Sequence, residues 1–321
     1  TLNNLLILSC GTRDLLVRYF RKSSFDNVIG ADCSELAPAL YEADRYYIIP
    51  RMGDPQYFDA VFEICQKEGI RAVLPLQEDE LQLIAENRKQ FEDRGIRVIV
   101  SEAETIELCR DKYLFLKYME SQGIPVLKSY EELKEFQKDY EQGKIDFPVF
   151  VKPVRGAGSI GAMKVTCMEV LEVLCAHSEE PLLIQEFCEG QEFGVDAYID
   201  MISGEPVALF AKEKLRMRAG ETEKSITCEK EELRAFALRV IEKMKLSGPV
   251  DMDIFQKGGT YYISEINPRF GGGFPHAYAC GMDTPNYLAR NVQGIPNESH
   301  LEEEYDEVYV LKYSDIMVIE K

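Results

Sequence analysis

Residues 147–161 read FPVFVKPVRGAGSIG, and this stretch decides how the rest of the chain is interpreted. The apolar run before Lys152 predicts a strand, and AMKVT, after the glycines, predicts a second strand instead of a helix. GAGSIG matches the GxGxxG spacing, but a dinucleotide-binding loop opens directly into a helix whose N-terminus faces the pyrophosphate. We therefore interpret the glycines as a flap between two strands, whose backbone N–H groups can closely approach phosphate oxygens.

The first hundred residues or so show a different order of secondary-structure patterns. Apolar strand candidates such as LLILS and NVIGA alternate with helical patterns over about the first hundred residues, which is typical of a parallel sheet covered by helices. Gly11 lies in the first strand-to-helix turn, and Asp32 ends the second strand, where a Rossmann fold keeps the carboxylate that binds a ribose. Two interpretations stay open: a NAD-binding domain, or a structural turn glycine with a solvated Asp.

A second informative stretch follows the flap, at residues 260–270, TYYISEINPRF. Glu265 and Asn267 are two positions apart on a predicted strand and therefore share one face. Upstream, Asp251 and Asp253 are also two positions apart and share one face of a predicted strand. A hairpin around QKGG would pair the two strands and bring these carboxylates beside Glu265 and Asn267. Carboxylate and amide oxygens are ligands that Mg²⁺ takes, with phosphate oxygens and water completing its octahedron. Spacing alone also allows a solvated acidic face.

Composition limits the classes of partner. The chain has 321 residues, 45% hydrophobic and 29% charged, which is enough for two or three compact units. Its formal net charge of -19 argues against nucleic acid or anionic membrane as partners, because both would be repelled. Nine scattered cysteines without CxxC spacing indicate reduced thiols and a cytoplasmic location. His276 and Cys280 are four residues apart, where packing is a simpler interpretation than metal binding.

The motifs occur in an order that resembles the ATP-grasp superfamily, in the branch of carbamoyl phosphate synthase large subunit and D-alanine ligase. The order is Lys112, Lys152 with its flap, Glu186 in IQEF, and then the acidic strands that end at Arg269. The resemblance covers nearly the whole chain and implies an α/β and α+β fold. Its expected parts are a Rossmann-like pre-ATP-grasp domain (1–108), an ATP-grasp small subdomain with the flap (109–186) and a C-terminal subdomain with the metal site (187–321). The strand candidates of this last part suggest a mixed sheet.

The resemblance also implies a role for each matching residue. The expected nucleotide-binding residues are Lys112, Lys152, Gly156, Gly158, Ser159, Gly161, Glu186, Phe187, Cys188 and Glu192. Among them, the lysines would grip phosphates, backbone groups of Phe187 and Cys188 would read adenine, and Glu192 would bind the ribose. The expected metal ligands are Asp253, Glu265 and Asn267, with Asp251 as a bystander. The expected catalytic cations are Arg269, Arg216 and Lys152; Arg216 stands where D-alanine ligase has a lysine before its AGET sequence.

These roles imply a ligase that uses ATP with one or two Mg²⁺ ions, or Mn²⁺ in their place. It would activate a carboxylate or bicarbonate as an acyl phosphate and pass it to an amine, releasing ADP and phosphate. The expected partners are small-molecule carboxylates and amines, with neither nucleic acid nor membrane, and a homodimer is common in the superfamily. A non-catalytic or partner-dependent ATP-binding subunit, such as a separate half of a carbamoyl phosphate synthase, stays open as the alternative.

Overall fold

The computed structural model describes residues 2–156, 158, 160–218 and 220–320. The strands within these residues are β1 (Asn4–Leu8), β2 (Asn27–Asp32), β3 (Arg45–Ile48), β4 (Ile70–Pro75), β5 (Arg97–Val98), β6 (Ser129–Tyr130), β7 (Val149–Pro153), β8 (Met163–Val165), β9 (Leu182–Glu186), β10 (Gln191–Ile199), β11 (Pro206–Arg218), β12 (Glu221–Thr227), β13 (Gly248–Lys257), β14 (Thr260–Asn267) and β15 (Tyr309–Leu311). The helices are α1 (Asp14–Arg21), α2 (Tyr57–Glu68), α3 (Glu78–Glu86), α4 (Arg88–Glu92), α5 (Ala103–Arg110), α6 (Lys112–Ser121), α7 (Leu133–Glu141), α8 (Met168–His177), α9 (Glu231–Ile241), α10 (Phe274–Ala279) and α11 (Thr284–Val292), with a 3-10 helix over Pro38–Glu42.

The N-terminal part is a parallel sheet with strand order β3-β2-β1-β4-β5. The central strand β1, NLLIL, is buried along its whole length. Such an uninterrupted apolar strand requires cover on both faces, which helices supply. On one side, α1 buries Leu16, Val17 and Phe20. The predicted Rossmann-like sheet is therefore confirmed.

The turn after β1 is held by a side chain of the protein itself. Gly11 has a left-handed backbone (φ +52°), and its N–H donates to one carboxylate oxygen of Asp32 at 2.9 Å. The other oxygen of Asp32 accepts the N–H of Ser34 at 3.0 Å. Asp32 is only 8% exposed, so it is structural, as one interpretation expected, but it is buried instead of solvated. This internal bonding disfavours the NAD-binding alternative.

The small subdomain has an antiparallel sheet with strand order β6-β9-β7-β8. Strands β7 and β8 pair with each other, with Val149 opposite Val165 and Val151 opposite Met163. The glycine-rich stretch therefore joins two strands of one sheet and does not open into a helix. The strand-flap-strand prediction is confirmed.

The third sheet has strand order β14-β13-β10-β11-β12-β15, and every pairing between these strands is antiparallel. The expectation of a mixed sheet is therefore wrong. Short turns fold several successive strands back on one another, as at Gly258 and Gly259, which both have positive φ, whereas parallel neighbours need a long crossover. An isolated parallel bridge joins Val126 to Ile263. Each sheet lies within one of the three predicted ranges, whose exact boundaries stay predictions.

One apolar core joins the N-terminal sheet to the third sheet. Phe20 on α1 packs edge-on against Phe270, just after β14, with ring centroids 5.7 Å apart. Both side chains are buried, and truncating such a phenylalanine typically costs about 3 to 5 kcal/mol. This contact holds α1 against the end of β14, where the sequence predicts the site.

A buried carboxyl group on α3 makes stability depend on pH. Glu80 is 0% exposed, the Tyr57 hydroxyl donates to its Oε1 at 2.6 Å, and its Oε2 has no hydrogen-bond partner among the described residues. Burial raises the pKa of Glu80 from its ordinary 4.5 to about 7, although the Tyr57 hydrogen bond opposes the shift. The folded protein therefore keeps a proton that the unfolded chain releases at lower pH.

We expect stability to fall as pH rises from about 4.5 to about 7, because the folded state binds this proton more tightly. Glu80→Gln should raise the free energy of unfolding by up to about 3 kcal/mol near pH 8, and by much less near pH 5. Urea denaturation at both pH values measures the difference. Glu86→Gln, at an exposed position of the same helix, is the control. An equal effect of Glu80→Gln at both pH values would contradict the prediction.

Candidate active site

A cleft of about 720 Å³ lies between the flap, the β13–β14 hairpin and the loops that follow β1 and β4. The predicted site residues that line it are Lys112, Lys152, Gly156, Gly158, Glu186, Phe187, Cys188, Glu192, Asp253, Glu265, Asn267 and Arg269. Two more, Gly161 and Arg216, are not among its lining residues, and Ser159 lies outside the described residues. Predicted site residues from two sheets and from α6, distant in sequence, thus share one cavity.

The acidic residues meet across the predicted hairpin. Asp253 is paired with Glu265, and Asp251 with Asn267, in the register of β13 and β14. The Nδ2 atom of Asn267 lies 3.4 Å from Glu265 Oε1 and 3.5 Å from Asp251 Oδ2. The predicted hairpin is confirmed. It also brings Asp251 beside Asn267, while its expected role as a bystander to the metal stays a prediction.

The donor set fits a magnesium ion that arrives with a nucleotide. No three His, Cys, Asp or Glu side chains of the described residues are arranged to hold a metal on their own. The predicted set has two carboxylates, Asp253 and Glu265, and the amide of Asn267. Mg²⁺ takes one or two carboxylates and completes its octahedron with phosphate oxygens and water. The hard oxygen donors present therefore suit Mg²⁺ bound together with phosphates.

The charges of this region depend on one another. Burial raises the pKa of Asp253 to about 7, against the attraction of Lys214. Burial also disfavours the charged form of Glu265, but Lys152 and Lys112 outweigh it and lower the pKa of Glu265. Burial lowers the pKa of Lys152. The site thus concentrates half-buried carboxylates near two lysines, an arrangement in which a further cation and a phosphate chain would both be stabilised.

Lys214 is a cleft-lining residue that the sequence motifs do not reveal. Its ammonium lies 2.9 Å from Glu192 Oε1 and 2.5 Å from Asp253 Oδ1, and its side chain is 5% exposed. It therefore connects the predicted ribose acid with a predicted metal ligand. Arg216, which was expected to supply this region with a cation, is 63% exposed and pairs with Glu223 at 2.9 Å.

The cause of this difference is a local irregularity of β11. Strand alternation would place Lys214 and Arg216 on one face. The pairing of β11 with β12 shifts register between Lys214 and Arg216 and again between Arg216 and Met217. Such bulges turn a strand and re-aim its side chains. Met217 then lines the cleft in place of Arg216.

The flap is anchored on two sides. Its described glycines, Gly156, Gly158 and Gly161, all have positive φ, which is costly for other residues. The ammonium of Lys112, at the start of α6, donates to the carbonyl of Gly156 at 2.6 Å. On the other side, a Cβ at Gly220 would overlap the backbone of Gly158. The flap and the β11–β12 loop therefore approach each other closely.

The predicted adenine end follows β9. Glu186 pairs with Lys257 at 2.5 Å, and the ammonium of Lys164 lies 4.1 Å from the ring centre of Phe187. The N–H of Glu186 donates to the carbonyl of Lys128 at 2.8 Å. These contacts fix the segment, while the reading of adenine by Phe187 and Cys188 stays a prediction.

The opposite end of the cleft lies where the N-terminal domain meets the residues that follow β14. Arg269 is 14% exposed, donates to Glu78 at the start of α3 at 2.8 Å, and lies 3.4 Å from Asp251 Oδ2. A Cβ at Gly271 would lie 2.5 Å from the carboxyl carbon of Asp251, so this close approach requires glycine. Arg13, in the loop after β1, also lines this end. No local pattern marks Glu78 or Arg13, because their role depends on domain packing.

His276 has a structural environment. It is buried, with Nδ1 2.7 Å from Ser225 Oγ and Nε2 3.1 Å from Thr227 Oγ1. Burial lowers its pKa to about 4. These hydroxyl contacts agree with the packing interpretation. The nine cysteines are all free, and none of the helices in the described ranges has the length and apolar character needed to cross a membrane.

Comparison with known proteins gives two family matches. Residues 5–99 match the family described as "PylC-like, N-terminal domain", and residues 109–273 match the family described as "ATP-grasp domain". The chain is also similar to the carbamoyl phosphate synthase large chain of Thermoplasma acidophilum, with 26% identity over 247 residues. That alignment covers 71% of this chain and 23% of the relative, so the chain spans less than a quarter of the relative's length.

Two solved structures show the same fold at low sequence identity. The biotin carboxylase domain of Hydrogenobacter thermophilus 2-oxoglutarate carboxylase, solved with MgADP and bicarbonate, matches with a TM-score of 0.76 at 17% identity, over 96% of this chain and 73% of that one. L-amino acid ligase from Bacillus licheniformis matches with a TM-score of 0.69 at 20% identity, over 92% and 75%. The match to the ATP-grasp domain family spans more than half of the residues of this chain. The protein therefore belongs to the ATP-grasp family.

Proposed function

We propose that this protein is a magnesium-dependent ligase that phosphorylates a carboxylate or bicarbonate with ATP and passes the acyl group to an amine. The observation that carries the proposal is the position of the β13–β14 oxygen donors in one cleft with Lys152, at the base of the flap. The donors suit the metal of a nucleotide, and the lysine suits its phosphates. Membership of the ATP-grasp family supports the use of ATP.

The chemistry requires no nucleophile from the protein. A carboxylate is a poor electrophile, because its charge repels nucleophiles and its oxygens leave poorly; phosphorylation removes both obstacles. Bound Mg²⁺ would neutralise charge on the transferred phosphoryl group. In the proposed arrangement Lys112 and Lys152 hold the phosphates, and Arg269 stabilises charge at the substrate end. Each well-aimed donor of this kind is worth about 3 kcal/mol.

The flap would protect the intermediate. An acyl phosphate is hydrolysed if water reaches it, so a ligase of this type must exclude solvent before the amine attacks. The close approach of Gly158 to Gly220 supports this role, because it joins two loops over the cleft. The predicted domain ranges, cytoplasmic location and homodimer remain part of the proposal.

The test is a substrate screen. The protein is incubated with ATP and Mg²⁺, and ADP and phosphate are followed with bicarbonate, amino acids and other carboxylates, each combined with ammonia or an amino acid as acceptor. We expect release that needs both a carboxylate and an amine, together with a ligated product. Tight ATP binding without stimulated release from any pair would contradict the proposal and favour the partner-dependent subunit.

A further inference from the structure

Most cations that line the cleft already have partners. The ion pairs are Arg110–Asp79, Arg155–Glu107, Lys212–Asp196, Lys214–Asp253, Arg218–Glu223 and Arg269–Glu78. Lys112 donates to a flap carbonyl. Two lining cations, Lys152 and Arg13, have side chains with no hydrogen bond or ion pair to any described residue. They lie at different parts of the cleft, one at the base of the flap and one at the N-terminal domain.

Arg13 is held in place by its backbone. Its N–H donates to the carbonyl of Cys10 at 3.0 Å, and its carbonyl accepts the N–H of Val17 at 3.2 Å as α1 begins. The preceding Gly11 is bonded to Asp32. The loop that carries Arg13 is therefore tied to β1, β2 and α1. A side chain on such a rigid loop can hold a ligand group at a defined position.

The surroundings of Arg13 carry both signs of charge. Burial lowers its pKa, the like charge of Arg269 lowers it further, and the carboxylates of Glu221 and Asp251 oppose this. Glu221 itself pairs with Lys312 at 2.5 Å, and Asp251 lies 3.4 Å from Arg269. Arg13 is half-buried, and a guanidinium that loses water without gaining a hydrogen-bond partner carries a free-energy cost. An anionic ligand group would remove that cost.

We propose that Arg13 is a specificity-determining residue that binds the carboxylate of an amino-acid substrate, whose ammonium group faces Asp251 and Glu221. The inference rests on the proposed ligase function and deepens it by naming the substrate class. Guanidinium matches carboxylate in a two-pronged geometry. A phosphate dianion suits the place less well, because the same two acids would repel its second charge. Lys152, the other lining cation without a partner among the described residues, would bind the phosphates of ATP.

The test compares substrates with and without the carboxylate charge. ADP release with ATP and Mg²⁺ is titrated with the common L- and D-amino acids, and each one that stimulates is compared with its carboxamide, which keeps the ammonium group. We expect Arg13→Gln to raise the KM for the amino acid about 100-fold, and Arg13→Lys to raise it only several-fold. The KM for ATP should not change. With the wild-type protein, the KM for the carboxamide should be as high as the KM of Arg13→Gln for the amino acid.

The matched control is Arg18→Gln on α1, the helix that directly follows Arg13; this side chain is 45% exposed and pairs with Glu42 at 3.0 Å. Equal KM values for wild type and Arg13→Gln, or stimulation only by carboxylates without an ammonium group, would overturn the inference and leave the ligase proposal standing. If no pair of substrates stimulates release, thermal shifts with a non-hydrolysable ATP analogue separate the two proposals. Amino acids that stabilise wild type but not Arg13→Gln would support the site without ligase activity, and no shift would overturn it.

Discussion

Glu265→Gln should lower kcat for ATP-dependent ligation by about 10³-fold, which corresponds to about 4 kcal/mol of lost transition-state stabilisation. Glutamine keeps the shape of Glu265 and an oxygen facing Asn267, which lies 3.4 Å away. It removes the negative charge that the proposed metal site requires beside Asp253. The substitution isolates charge from packing, and steady-state kinetics at saturating ATP and Mg²⁺ measures its effect.

The change should cost only a little folding stability. Lys152 and Lys112 lower the pKa of Glu265, so its charge stabilises the fold, but neutralising it also relieves repulsion from Asp253 across the hairpin. The melting temperature should therefore fall only slightly. Glu120→Gln is a suitable control, because that side chain is 61% exposed on α6 and pairs only weakly with Lys117. A Glu265→Gln enzyme that retained kcat within a few-fold of wild type would contradict the predicted metal ligand.

Lys214→Met should weaken both stability and catalysis. The ammonium of Lys214 bridges Glu192 and Asp253, so its removal leaves two partly buried carboxylates without their cation. Removing one partner of a buried pair typically costs about 3 kcal/mol or more of folding free energy. We also expect kcat/KM for ATP to fall about 100-fold, because both acids lose the contact that orients them. Urea denaturation and ATP titration measure the two effects.

Arg216→Gln is the informative comparison. The side chain of Arg216 is 63% exposed and pairs with Glu223 outside the cleft lining, and exposed pairs of this kind contribute less than about 1 kcal/mol. We expect kcat/KM within about two-fold of wild type. A larger loss for Arg216→Gln than for Lys214→Met would reverse our assignment and restore the expectation drawn from the sequence.

The features that could be predicted from the sequence have local causes. The flap follows from strand patterns on both sides of Gly156 to Gly161, and the acidic hairpin follows from the shared parity of Asp253 and Glu265 on either side of two glycines. Each depends on residues close together in the chain. The alternation of strands and helices over the first hundred residues predicted the parallel sheet for the same reason.

The features that were missed depend on pairing and packing over long distances. The register shifts that turn Arg216 away arise from how β11 meets β12, and period-two alternation cannot reveal them. Arg13 and Glu78 join the site because the N-terminal domain packs against the end of β14, some two hundred residues later in the chain. Asp251 can lie beside Asn267 because Gly271 leaves space for its carboxylate.

Transfer of oxygen from the substrate carboxylate to phosphate tests the central claim most directly. An acyl phosphate forms when a carboxylate oxygen attacks the γ-phosphorus, so that oxygen stays with phosphorus when the amine later displaces the phosphate. With a stimulating substrate labelled with oxygen-18 in its carboxylate, phosphorus NMR should show one labelled oxygen in each phosphate released. Unlabelled phosphate formed at the same rate as ADP would contradict the account, because it would mean that water receives the phosphoryl group.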